Sequence, residues 1–241
     1  MTNYRWLVRI SGDETYRHVL YAIPHAGAGA AAVKKTCHAL AERCATVAVR
    51  LPGRESRMDE EPITDLDVLA DELAEQIAGH AGGRRIFLYG HCSGAVVAYE
   101  VARRLPAERL GHLVVSAHQA PDRIPAIGAW RLPRDPFLAR VAADGYLPAE
   151  ILDEPQLVEL VEPALRADYQ AVECHRSSME VLGTPILALL GTEEHSVDVA
   201  DVRAWSALTS VGFRLRFLPG GHNLLLEGHT EVADALAAVI G

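Results

Sequence analysis

Short apolar runs and longer stretches of helical period alternate along this chain. Residues 19–23, 46–51 and 85–89 are apolar, brief and bounded by turn formers, which marks them as buried strands. Residues 31–42 read as a helix. From Thr64, the expected N-cap, Leu66, Leu69, Ala70, Leu73 and Ile77 recur at helical spacing. Residues 96–105 read as a third helix. Alternation of β and α over the first 105 residues implies a parallel sheet with helices on both faces.

After one more strand at 113–115 the alternation stops. From about 120 to 172 the chain offers prolines and short amphipathic helices but no strand. A helical insertion of this size between sheet strands is a candidate lid over an active site, and ordinary packing helices on one face are the alternative. The pattern resumes with a strand at 184–191, a helix at 199–209, a cleanly alternating edge-side strand at 213–218 and a last helix over roughly 230–240. There is no internal repeat.

The 241 residues suit one α/β domain spanning 1–241, with the insertion inside it. A formal net charge of −9 argues against nucleic acid and against an anionic membrane surface as partners. No run is long and apolar enough to span a bilayer, and the first residues lack the apolar segment of a signal peptide, so a cytoplasmic monomer is expected. Four scattered cysteines do not form a disulfide framework. The pairs Cys37-His38 and Cys174-His175 are weak metal signals, and no metal or organic cofactor is expected.

The chemistry centres on Gly90-His91-Cys92-Ser93-Gly94-Ala95, set between a strand and a helix. Glycines two before and two after a nucleophile-type residue, in a strand–turn–helix, are what a nucleophile elbow needs. Side chains at 90 and 94 would collide with the neighbouring strand and helix. Cys92 occupies the centre, where serine is usual, and Ser93 is one place out of register. A thiol attacks as its thiolate, which a helix N-terminus and a protonated histidine both favour.

Acyl transfer also needs a base held by an acid, and donors for the oxyanion. In this strand–turn–helix context the order along the chain is nucleophile, acid, histidine. His222, in a Gly-Gly-His turn after the last strand, is the best base among 11 histidines. Glu194, three residues past Gly191 where aspartate would be expected, is the first choice of acid, and Asp198 is the fallback. Glu193 and Asp201 read as solvated charges. The oxyanion donors are expected to be the backbone N–H groups of Ser93, after the nucleophile, and Ala26, after the first strand.

Together these pieces resemble the type II (external) thioesterases of non-ribosomal peptide and polyketide synthesis. The resemblance spans nearly the whole chain. It rests on Pro24-His25-Ala26-Gly27, Leu51-Pro52-Gly53-Arg54, the elbow, Arg166-Ala167-Asp168-Tyr169 and Leu218-Pro219-Gly220-Gly221-His222, in that order. It implies an α/β-hydrolase fold with a mostly parallel central sheet and a helical lid. It also implies acyl thioesters held on the phosphopantetheine arm of carrier proteins, with stalled or wrong groups cleared by hydrolysis. The chain departs from the family pattern at Cys92 and at Glu194.

The first departure has an energetic consequence. Serine attack on a thioester gives an oxyester, which is downhill. Cysteine attack gives another thioester of similar energy, so loading is reversible. An acyl or aminoacyl shuttle between carrier proteins, or to an amine, therefore stands beside hydrolysis. A non-catalytic carrier-binding module would have no need of the thiol, and a small-molecule esterase would ignore carrier-bound substrates.

Overall fold

The computed structural model describes residues 4–144 and 154–241. Seven strands form one sheet in the order β1-β3-β2-β4-β5-β6-β7. They are β1 (Leu7–Ser11), β2 (His18–Ile23), β3 (Ala45–Val49), β4 (Arg85–His91), β5 (Leu110–Ser116), β6 (Ile186–Gly191) and β7 (Phe213–Leu218). All neighbours pair in parallel except β1, which runs antiparallel to β3 along one edge. Sequence pattern did not reveal β1, because its residues are half-buried or exposed and lack the apolar run of the central strands.

The strands' period of two sends alternate side chains to opposite layers. Val19, Tyr21 and Ile23 of β2, with Ile86 and Leu88 of β4, enter the larger core. Helices α2 (Leu66–Ala81) and α3 (Ser93–Arg104) cover that face. Leu20, Ala22, Phe87 and Tyr89 point the other way. They meet α1 (Ala30–Ala39) and a C-terminal helix at His229–Ile240. Asp65, not Thr64, caps α2: its Oδ1 accepts from the N–H groups of Asp67 and Val68 at 2.9 and 3.2 Å. The helix starts at Leu66, and an N-cap must lie immediately before it.

Between β5 and β6 the main elements among the described residues are two helices, α4 (Arg134–Ala143) and α5 (Pro155–Cys174). Part of the expected insertion, 145–153, lies outside the described residues. Phe137 and Val141 of α4, Leu165 of α5 and Ala26 of the loop after β2 form a small separate core. The helix expected at 199–209 is α6 (Val199–Arg203), continued as a 3-10 turn (Ala204–Leu208). A short α7 (Leu224–Glu227) precedes the C-terminal helix, α8. Among the described residues no helix is long and apolar enough to cross a membrane.

Candidate active site

Parallel pairing carries the C-terminal ends of the strands to one edge of the sheet. Ile23 of β2 sits beside Gly90 of β4, His91 beside Ser116 of β5, Ser116 beside Leu189 of β6, and Gly191 of β6 beside Leu218 of β7. The loops carrying Ala26, Cys92, Glu194 and His222 all leave from that edge. Ligand sites of open parallel sheets form where such loops gather.

Cys92 is the N-cap of α3 and has φ 53° and ψ −126°, a left-handed backbone that a side chain adopts at a cost. Its N–H donates to the carbonyl of Ser116 at 2.8 Å, and its carbonyl accepts from Ala95 at 2.8 Å, so both neighbours hold the turn. A Cβ on Gly90 would fall 2.1 Å from the carbonyl oxygen of Gly94, and one on Gly94 2.4 Å from those of Ile23 and Pro24. The obstacles are backbone, so the elbow accepts glycine alone at both places.

His222 lies against Cys92 and Glu194. Its Nδ1 donates to Glu194 Oε2 at 2.6 Å, and the Cys92 side chain acts on the ring's proton affinity. Glu194 is held in turn by the N–H of Ser196, which donates to Oε1 at 2.7 Å. The acid turn is tied to the histidine loop through backbone bonds from Thr192 to Leu218 (2.8 Å) and from Glu193 to Gly220 (2.9 Å). Asp198, the alternative acid, is not brought to His222. Its Oδ1 accepts from Ala200 N–H at 2.7 Å and caps α6.

Burial disfavours the charged form of His222, but hydrogen bonds and charge from Cys92 and Glu194 outweigh it and push its pKa up to about 10. Burial also opposes the charged form of Glu194, and the hydrogen bond and charge of His222 bring its pKa down on balance. Three other histidines surround this centre. His91 packs beside both His25 and His222, with ring centroids 5.8 and 5.9 Å away. Burial, reinforced by the His222 charge, holds His25 and His118 down to about 4 and His91 well below its ordinary 6.5. One imidazole of raised proton affinity thus sits among three of lowered affinity. The sequence carries no signal for this group, since His118 belongs to no motif and only strand pairing brings it here.

Ala26 and Ser93 line the same cavity as Cys92, with His118, Asp168 and Tyr169 around it. Ser93 is the first residue of α3, where backbone N–H groups have no partner within the helix. Two carboxylates and a histidine away from the site, Asp67, Glu100 and His175, lie close enough together to share an ion. Glu100 already accepts from Arg103, Arg104 and Ser177. Two arginines beside a buried carboxylate supply the cation there, so these residues fit an ion-pair network better than a metal.

Residues 18–240 match the thioesterase domain family. The chain belongs to that family. It is 31% identical over 237 residues to thioesterase PikA5 of Streptomyces venezuelae, covering 96% of this chain and 84% of that protein. It is 28% identical over 235 residues to the gramicidin S biosynthesis protein GrsT of Aneurinibacillus migulanus, covering 95% and 91%. Among solved structures, the type II thioesterase BorB of the borrelidin cluster superposes with a TM-score of 0.83 at 31% identity, over 100% of this chain and 97% of that one. The RedJ thioesterase of the prodiginine pathway in Streptomyces coelicolor superposes at 0.86 and 27% identity, over 95% and 93%. The expected fold, an α/β-hydrolase-like sheet flanked by helices, is the observed one.

Proposed function

We propose that this protein is a type II thioesterase that releases acyl groups from the phosphopantetheine arm of carrier proteins through an acyl-Cys92 intermediate. The observation that carries this reading is the line Cys92–His222–Glu194, a thiol in a strained elbow against an imidazole held by a buried carboxylate. The family and its biosynthetic relatives support the substrate class.

The Cys92 thiolate attacks the thioester carbonyl, and the carbonyl π electrons move to oxygen. The N–H groups of Ala26 and Ser93 hold that oxyanion. Collapse restores the carbonyl and breaks the bond to the pantetheine sulfur, which leaves with the proton from His222. The acyl group is now a thioester on Cys92. His222, neutral after giving up its proton, takes one from water as the water oxygen attacks. A second collapse expels Cys92 as thiolate beside a reprotonated His222 and frees the carboxylic acid. Glu194 orients the ring and balances its charge throughout. No metal or organic cofactor enters these steps. We assign the helices between β5 and β6 as the lid, because Tyr169 and Val172 of α5 wall the cavity at Cys92.

A second reading rests on the sulfur itself. Acyl-Cys92 and acyl-pantetheine are both thioesters, so a second carrier thiol or an amine can take the group in place of water. Intact mass spectrometry of an acyl-loaded carrier protein with this enzyme, with and without an empty second carrier, separates the two. Loss of the acyl group to water regardless of the acceptor marks hydrolysis. An acyl group that persists on Cys92 and then moves to the acceptor marks a shuttle. Equal activity of Cys92→Ala would overturn both.

A further inference from the structure

Arg54, in the turn after β3, and Asp168, on α5, are 114 positions apart and form a buried ion pair, with side chains 6% and 8% exposed. Two hydrogen bonds join them: Arg54 Nη1 donates to Asp168 Oδ2 at 2.7 Å and Nη2 to Oδ1 at 3.0 Å. The guanidinium also donates to the carbonyls of Pro52 (3.2 Å) and Ala28 (3.4 Å). Asp168 Oδ2 accepts a further bond, from the N–H of Gly27 at 2.7 Å. The pair therefore grips the loop after β2 at Gly27 and Ala28, the two residues that follow Ala26. The loop is pressed onto α5 at the same point. Gly27 has φ 71°, and a Cβ there would fall 2.6 Å from Leu165 Cδ2.

A buried ion pair is a poor general stabiliser, because desolvation offsets most of the attraction. This one directs two further hydrogen bonds, at Gly27 and Ala28, to a single loop. We propose that Arg54 and Asp168 are positioning residues, which fix the loop through Gly27 and Ala28 so that the Ala26 N–H meets the oxyanion formed at Cys92. The proposal rests on the acyl-Cys92 reading above. A donor fixed before reaction stabilises developing charge without reorganising, whereas a loose loop must be ordered in every turnover. Because Asp168 sits on α5, the helix that walls the cavity also sets the donor.

Two variants test this. Asp168→Asn keeps an acceptor but loses the charge. The double variant Arg54→Met/Asp168→Leu removes both charges at similar volume and strands neither, which favours retention of the fold. Three rates or constants are compared with wild type on an acetyl-loaded carrier protein: Cys92 acylation by mass spectrometry, KM, and Cys92 alkylation by iodoacetamide. Alkylation needs the thiolate and His222 but no oxyanion donor. Acylation is expected to fall roughly 10–100-fold in both variants, with KM and alkylation within about two-fold of wild type. Acylation within two-fold of wild type in a variant that melts cooperatively overturns the proposal. So does alkylation that falls in step with acylation. If the double variant does not fold, Asp168→Asn decides by the same criteria. A wild type that alkylates but is never acylated overturns the acyl-Cys92 reading first, and is told apart because no variant is involved.

Discussion

His222 Nδ1 lies 2.6 Å from Glu194 Oε2, so a glutamate three residues beyond the end of β6 reaches the imidazole. Burial lowers the proton affinity of that ring, while Cys92 raises it by hydrogen bond and by charge. Acylation would turn the sulfur into a neutral thioester and remove both effects. On the reading proposed above, the imidazole is then neutral more of the time, as the base that activates water has to be. Cys92→Ala should therefore bring the His222 pKa down from about 10. An NMR titration of the imidazole in wild type and variant checks this, and an unchanged titration would sink the idea.

The two acids should separate cleanly. Glu194→Gln removes the charge that holds His222 and is expected to lower kcat by roughly 10²–10⁴-fold. Asp198→Ala removes only the cap of α6 and should cost about 1 kcal/mol of stability. Turnover and thermal melts on both variants make the comparison. Equal losses of activity would show that Glu194 has no special role.

Cys92→Ser changes the fate of the acyl group more than its arrival. The intermediate becomes an oxyester, downhill from the carrier thioester. Back-transfer to a carrier thiol should therefore drop below detection, while hydrolysis persists at a lower rate. Radiolabelled acyl groups chased with empty carrier protein measure the partition, and undiminished transfer would contradict the argument.

Two pH dependences of opposite sign are built into the molecule. The pKa of His222 is raised above its ordinary 6.5, so its contribution to stability is whole below that value and fades as pH climbs through about 10. Burial works against the Glu100 carboxylate, but His175, Ser177 and Arg103 bring it down to about 2. Its contribution is whole above its ordinary 4.5 and is lost as pH falls from there through about 2. Glu100→Gln removes the buried carboxylate from half-buried Arg103 and Arg104 and should cost about 2–3 kcal/mol near neutrality. Denaturant melts should show that gap closing as pH drops below 4.5, and a gap constant down to pH 2 would refute it.

The elbow is expected to reject any side chain at Gly94. Gly94→Ala places a Cβ 2.4 Å from two carbonyl oxygens at the end of β2 and should destabilise by about 3 kcal/mol or prevent folding. Gly183→Ala, whose Cβ would sit at an ordinary 3.8 Å from Ala107, is the control and should change little. Equal melting of the two variants would contradict the steric account.

Much of this architecture is local enough to be read from the chain. The alternation of strand and helix and the glycine-flanked turn at Cys92 depend on period and on sterics within a few residues. The edge strand β1 was not legible, because a half-exposed strand carries little apolar signal. Nor could sequence choose between Glu194 and Asp198, which lie four positions apart on one acidic turn. Backbone bonds from that turn to the loop after β7 decide which carboxylate faces His222. Tertiary structure alone also pairs Arg54 with Asp168 and gathers His25, His91 and His118 around His222. Sequence determines which turns and strands can form, because neighbouring atoms restrict them. Strand order and register determine which distant side chains meet, and the proton affinities follow from that meeting.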